Sequence, residues 1–360
     1  MNYTLILGTR PEIIKLSGII RFLESQNENF FIIHSNQHYS ENLDSVFFKD
    51  LGLTEPKYNL NIGSGNHGEQ TAKMLSGIEK ILIDEKPDVV IVQGDTNTVL
   101  SGALAAAKLN IPVAHVEAGL RSNDRTMPEE LNRIMTDHIS SYLLPPTEKT
   151  KQILLSEGID AKKIKITGNT IVDAVFQNLK LAQSESKILD TLNIRSNQYI
   201  LLTAHRAENT DNKEKLAGIL NGAKLLAAEL DMQVIYPIHP RALKMLEAFE
   251  ISIPKNVKLI DPIGFLDFLL LQKSAHIILT DSGGIQEESC ILKVPCVTLR
   301  ENTERPETID VGGNILAGTD PKAILEKSKE ILNVERSWYN PFGDGNSSKY
   351  IIDFIKKLNG

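Results

Sequence analysis

Cysteine, blocks of like charge and long apolar runs are what this chain of 360 residues has least of. Its two cysteines, Cys290 and Cys296, have no CxxC spacing and no paired histidines nearby. A disulfide framework and a structural metal are therefore not expected, and a reducing compartment fits. No apolar run approaches the roughly 20 residues that span a bilayer. The N-terminus lacks a basic segment and a cleavage site, so no signal peptide is expected and the location expected is cytoplasmic. Formal net charge is −7, without a face-sized Lys/Arg cluster, and nucleic acid is not an expected partner. Gly63-Ser64-Gly65-Asn66-His67-Gly68 spells GxGxxG, but the polar stretch Tyr58-Asn59-Leu60-Asn61-Ile62 precedes it. A dinucleotide fingerprint needs a buried strand there, so a surface loop is expected and no nicotinamide cofactor.

What the chain does have is alternation. Strand-length apolar runs end on small or charged residues and give way to helix-period segments, twice over, which predicts two doubly wound α/β halves. The stretch Asp281-Ser282-Gly283-Gly284-Ile285-Gln286-Glu287-Glu288 follows an apolar run and opens a helical pattern. Such a glycine turn offers bare N–H groups at the positive end of a helix dipole, a ready phosphate site. Ser282 adds a hydroxyl, and Glu287 or Glu288 can accept from ribose hydroxyls. The plain alternative is a tight turn in which Asp281 caps the helix. In the first half, Arg10 and Lys15 lie at or one turn beyond a strand end, where open parallel sheets bind ligands. Two successive strands deliver Asp95 and Glu117 to one sheet edge; an Asp there can cap a helix, whereas Glu117 before Ala-Gly has no such local role. Glu129 and Arg133 stand one turn apart and can equally pair on an exposed face. Ile164 to Thr170 reads as the last strand of the first half. In the second half His205 and Arg206 end one strand and His239 the next.

Motifs in one order cover nearly the whole chain: GTRPEIIK from Gly8, QH at Gln37, GDTNT from Gly94, HVEAGLRS from His115 and MPEELNR from Met127. TGNT from Thr167, TAHR from Thr203, YPIH from Tyr236, TDSGGIQEE from Thr280, TERPET from Thr303 and NPFGDG from Asn340 follow. Together they resemble the non-hydrolysing UDP-N-acetylglucosamine 2-epimerases, which share the two-domain GT-B glycosyltransferase fold. The resemblance implies two Rossmann-like domains facing across a cleft: residues 1–168 with about 346–360 on the sugar side, and 169–345 binding UDP. It implies catalytic roles for Asp95, Glu117, Glu129 and His205, and substrate contacts from Arg10, Lys15, Arg133, Ser282, Gly283, Gly284 and Arg305. Phe268 would stack on uracil and Glu288 would hold the ribose. It further implies a UDP-N-acetylhexosamine as substrate, a homodimer, no cofactor or metal, and a place in polysaccharide biosynthesis. Bacterial relatives bind a second UDP-N-acetylglucosamine as activator, and Gln37, Arg206 and His239 match that region. The second glutamine of the motif is absent from Gln37-His38-Tyr39-Ser40. Pro240-Arg241 also departs after His239, so activation by substrate is in question.

The implied chemistry is elimination. Carbon-2 of an N-acetylhexosamine has no adjacent carbonyl to acidify its proton, and no nicotinamide site offers transient oxidation. Loss of UDP from carbon-1 with the carbon-2 proton gives 2-acetamidoglucal, to which UDP adds back after reprotonation from the other face. Cations and helix dipoles would stabilise departing UDP, and carboxylates would serve as base and acid. The alternatives are an epimerase of a modified sugar (a diacetamido-uronate or a 6-deoxy-N-acetylhexosamine nucleotide), a GT-B glycosyltransferase, and a non-catalytic UDP-sugar-binding protein.

Overall fold

The computed structural model describes residues 1–36 and 47–359. The chain forms two compact units, one of Met1–Gln177 with Phe342–Gly360 and one of Asn178–Pro341. The division falls inside the helix Thr170–Glu185 rather than ahead of it at 168, and the return to the first unit comes at Phe342 rather than at about 346. Asn169 N–H donates to the Phe342 carbonyl at 2.8 Å, which ties the chain back at that point, and Asp173 lies buried in the first turns of the same helix. Its carboxylate accepts from the backbone N–H groups of Ser347 (3.1 Å) and Ser348 (2.9 Å), so it caps the C-terminal helix Ser347–Asn359 from outside.

The first unit holds six parallel strands: β1 (Asn2–Leu7), β2 (Asn29–His34), β3 (Tyr58–Asn59), β4 (Val89–Gln93), β5 (Val113–Val116) and β6 (Tyr142–Leu144). Their order is β3-β2-β1-β4-β5-β6. Leu5, Ile6 and Leu7, and likewise Val89 to Val92, are wholly buried, the signature of strands covered by helices on both faces. The second unit holds β7 (Tyr199–Thr203), β8 (Gln233–Pro237), β9 (Val257–Ile260), β10 (Ile277–Thr280), β11 (Cys296–Thr298) and β12 (Asn314–Leu316). Its order, β12-β11-β10-β7-β8-β9, is the same topology read from the other edge. Strand order reverses between β1 and β4 in one unit and between β7 and β10 in the other. The loops leaving those strands diverge to opposite faces, which opens a crevice at each switch point.

Three expectations need correction. Ile164 to Thr170 forms no strand: Ile164 makes a single bridge to Leu143, and the chain then turns through Gly168 at a φ of +79°. β12, three residues on the sheet edge, has no counterpart in the sequence reading. The GxGxxG stretch is loop only as far as Asn66, since the helix His67–Glu85 already includes Gly68. The strand before it, β3, is two residues long and lies on the sheet edge, not the buried strand a dinucleotide fingerprint requires.

The first switch point is closed by Glu12, in the first turn of the helix Arg10–Ser25. It is buried, and one carboxylate oxygen accepts from Gly8 N–H (2.9 Å) and the Thr9 hydroxyl (2.8 Å), both on the β1 loop. The other oxygen accepts from the Thr96 hydroxyl (2.8 Å), on the β4 loop. Burial pushes the Glu12 carboxyl up to about 7, against the pull of those hydrogen bonds.

Two stability measurements test these links. Asp173→Ala leaves two buried N–H groups without acceptors and should cost about 1–3 kcal/mol, read from the urea midpoint; an unchanged midpoint would contradict the capping role. For Glu12 the folded value lies above the unfolded one, so the native state holds the proton more tightly. Wild-type stability contributed there is complete below the ordinary glutamate range and is lost as pH rises to about 7. Glu12→Gln carries no such proton. Its stability relative to wild type should therefore rise between about pH 5 and about pH 8, by up to ~3 kcal/mol. A pH-independent difference would show that Glu12 titrates normally.

Candidate active site

In the first unit, the loops after β4 and β5 and one helix carry the candidate residues. Glu117 follows β5 directly and takes the left-handed conformation, with φ +68°. A long side chain in that region costs on the order of 1 kcal/mol, a strain that clusters at functional sites. The conformation turns the carboxylate towards Lys15, whose Nζ lies 2.6 and 2.8 Å from its two oxygens. The Gln93 side-chain amide, from the end of β4, donates to one of the same oxygens. Asp95, on the β4 loop, is ion-paired with Arg133. Its backbone carbonyl accepts from the Asn132 amide at 2.9 Å. The helix Pro128–Ile139 supplies both partners.

Arg133 does not pair with Glu129. Its second carboxylate is Glu130, 2.7 Å away and three residues back on the same helix. Burial alone would raise the Glu130 carboxyl, but donors from Ser122 N–H, Arg133 and Asn123 N–H hold it below the usual range. Glu129 points outward, exposed, with no hydrogen bond or ion pair among the described residues. Behind these groups, His115 sets its two ring nitrogens against Asp137 (2.7 Å) and the Gly94 carbonyl (2.8 Å), tying the β4 and β5 loops together. Burial would raise the Asp137 carboxyl, and His115 and Arg121 keep it depressed. Arg10 is the first residue of its helix and exposed.

In the second unit, Ser282 precedes the helix Gly283–Leu292 without capping it by its side chain. Asp281 does not cap that helix either. It is wholly buried and reaches across the β7–β10 switch point to accept from His205 N–H (3.1 Å), Arg206 N–H (3.0 Å) and the Asn209 amide (3.1 Å). His205 Nδ1 lies 3.2 Å from the same carboxylate, while the ring is 45% exposed. Burial would raise Asp281, but His205 and the other donors hold it below the ordinary aspartate range. The imidazole thus has one nitrogen fixed on an anion and its body turned to solvent. Its centroid is 6.4 Å from that of His239. His239 itself caps the helix Pro240–Ala248, accepting from Arg241 N–H at 3.2 Å. Neither Gly283 nor Gly284 has a positive φ, and a Cβ on Gly284 would meet only the Ser282 hydroxyl oxygen, at an ordinary contact distance of 4.0 Å. The backbone there does not require glycine. What glycine supplies is unshielded N–H groups in a first turn that lacks intrahelical acceptors.

Glu287 and Glu288 separate in the structure. Glu287 is buried and ion-paired with Arg305 at 2.7 Å, which removes it as a ribose ligand. Glu288 is half-buried and accepts from the Gln272 amide at 2.6 Å. Phe268, one turn earlier than Gln272 on the helix Phe265–Ser274, is half-buried. Arg206 pairs loosely with Glu304 at 3.4 Å. Gln37 lies outside the described residues. Sequence reasoning passed over Gln93, Glu130, Asn132 and Gln272, each of which bonds a candidate residue, and Glu12, which bonds the loops beside them. Glu12 and Glu130 were visible inside GTRPE and MPEE, but only as acids of a helix's first turn.

A family model described as UDP-N-acetylglucosamine 2-epimerase matches residues 21–356. The UDP-N-acetylglucosamine 2-epimerase of Methanocaldococcus jannaschii is 58% identical over 361 residues, 99% of either chain. A crystal structure of UDP-GlcNAc 2-epimerase from that organism, in complex with UDP-GlcNAc and UDP, has a TM-score of 0.85, covering 99% of this chain and 100% of that one. A UDP-2,3-diacetamido-2,3-dideoxy-D-glucuronate 2-epimerase of Pseudomonas aeruginosa is 37% identical over 362 residues, 99% of this chain and 100% of its own. With twin doubly wound sheets of the GT-B type and a match along nearly its whole length, the chain belongs to the UDP-N-acetylglucosamine 2-epimerase family.

Proposed function

We propose that this protein interconverts UDP-N-acetylglucosamine and UDP-N-acetylmannosamine by inversion at carbon-2. The observation that carries the reading is the pair of carboxylates on adjacent strand-end loops, Asp95 and Glu117, each held by its own cation. The second unit receives the nucleotide: amide dipoles of the Ser282-Gly283-Gly284 turn and His205 take the diphosphate, Glu288 the ribose and Phe268 the uracil. Arg10 and Arg305 add positive charge. The first unit receives the hexose, with Lys15 and Arg133 beside it. One carboxylate of Asp95, Glu117 and Glu129 removes the carbon-2 proton as the carbon-1–oxygen bond breaks, and its electrons form the glycal double bond. UDP departs with the bonding pair. A second acid then protonates carbon-2 on the opposite face, and the UDP oxygen re-forms the bond to carbon-1. The cations also offset local acidity, since a bare acidic cluster would repel a substrate carrying a diphosphate.

The diacetamido-uronate alternative rests on the relative from Pseudomonas aeruginosa, and the higher identity to UDP-N-acetylglucosamine epimerases favours the plain sugar. A homodimer and a role in supplying precursors for polysaccharide also belong to this proposal. Leu131 and Met135, one turn apart on the helix Pro128–Ile139, are 44% and 45% exposed and are the proposed dimer contact.

Purified protein incubated with UDP-N-acetylglucosamine in D2O should place deuterium at carbon-2 of both epimers, read by NMR. Product without deuterium would refute proton removal, and turnover confined to the diacetamido-uronate nucleotide would reassign the substrate. For assembly, Leu131→Asp with Met135→Asp should convert a dimer to a monomer in light scattering; a dimer that survives the change would exclude this face.

A further inference from the structure

We infer that Glu12 is a positioning residue for Asp95, acting by clamping the β4 loop to the β1 loop across the first unit's switch point; the inference rests on the epimerase reading above. Asp95 itself is not touched by Glu12. The next residue is: Thr96 gives its hydroxyl proton to Glu12 at 2.8 Å. The opposite flank of Asp95 is held by the helix Pro128–Ile139, through the Asn132 amide on the Asp95 carbonyl and Arg133 on its carboxylate. Asn132 also reaches the Asn97 side chain at 3.1 Å, and Asn97 in turn donates to Gln70 at 3.3 Å. The loop that presents Asp95 is thereby fixed from two sides. Among these supports Glu12 alone comes from the helix Arg10–Ser25 that follows β1, the helix that also carries Arg10 and Lys15.

The chemistry of the clamp is specific. Every partner of Glu12 is a neutral donor: the Gly8 and Thr9 N–H groups and the Thr9 and Thr96 hydroxyls. The β1 loop must approach closely for this, and Gly8 permits it. A Cβ on Gly8 would overlap the Ser35 and Thr98 hydroxyls, which are themselves bonded to each other at 2.7 Å. A buried carboxylate without a cation is a costly way to join two loops if stability is the only purpose. It is better understood as geometry kept for the site, where a displacement of about 1 Å can cost a hundredfold in rate.

The test compares Glu12→Ala, Glu12→Gln, Thr96→Ala and the Glu12→Ala/Thr96→Ala double variant with wild type. Each is scored for deuterium entry at carbon-2, UDP affinity and melting temperature. Glu12→Ala should lower kcat by about a hundredfold. UDP affinity should stay within about twofold, because the nucleotide contacts lie elsewhere in the proposed reading. Glu12→Gln keeps the shape and can still bridge both loops, so it should recover most of the loss. Thr96→Ala should lower kcat in the same direction, and the double variant should be no worse than Glu12→Ala alone. Additive losses, an equal fall in UDP affinity, or a wild-type kcat for Glu12→Ala would overturn the inference. Should Glu12→Ala fail to fold, a wild-type kcat in Thr96→Ala would do the same. Absence of exchange in the wild type would instead remove the epimerase reading itself, and the inference with it.

Discussion

A buried carboxylate spanning the switch point is the constraint on which each unit depends. Where a parallel sheet reverses its strand order, the loops on either side lead to helices on opposite faces, and nothing in the ladder holds them together. Asp281 does so between β10 and β7, and Glu12 between β1 and β4. Both carry the desolvation cost of a buried acid and offset it with several donors. They differ in what faces them. Asp281 has an imidazole among its donors and lies below the ordinary range, whereas Glu12 has only neutral donors and is raised to about 7. Burial raises both carboxyls; at Asp281 the imidazole and the other donors outweigh it, and at Glu12 the neutral donors do not.

The charges of the first unit obey the same economy. Three acids, Asp95, Glu117 and Glu130, are compensated by two cations, Lys15 and Arg133, with Arg133 shared. Sharing fixes Arg133 between a helix position and a loop, so it orients Asp95 as much as it neutralises it. Glu117 reaches Lys15 only because its backbone accepts the left-handed region. The strain is local and modest, and Gln93 from the adjacent strand end helps hold the result.

Much of this was legible in the sequence, and the limits have physical causes. Apolar runs of strand length ending on a small or charged residue marked β1, β4, β5, β7 and β10, because strands buried on both faces have little other composition open to them. Asp95, Glu117 and His205 were located for the same reason: a strand end fixes where the next side chains emerge. Helix phase was not fixed in that way. Glu129 and Glu130 are neighbours separated by about 100° around the axis, as are Glu287 and Glu288, and periodicity alone does not say which faces the site. In both pairs burial made the choice: Glu130 and Glu287 turn inward to arginines, leaving Glu129 exposed and Glu288 half-buried against Gln272. The helix-cap alternative for Asp281 failed for a different reason. Its cap reading was local, and its actual donors are more than seventy residues away, a contact no local pattern contains.

That division of neighbouring acids bears on the proposed chemistry. Glu287 locks Arg305, Gln272 locks Glu288 and Asp281 locks His205, so the second unit's ligand groups are held before any nucleotide arrives. Prearranged dipoles and charges stabilise a leaving group without reorganisation at the moment of reaction, which is where such a site gains most. The first unit is uneven by comparison. Asp95 and Glu117 are each committed to a cation, whereas Glu129 stands exposed on the first turn of its helix. A carboxylate bonded to a cation must share or surrender that bond to accept a proton. Among the described residues Glu129 has no such bond to break, so in the proposed reaction it is the acid whose environment changes most when the sugar replaces water around it.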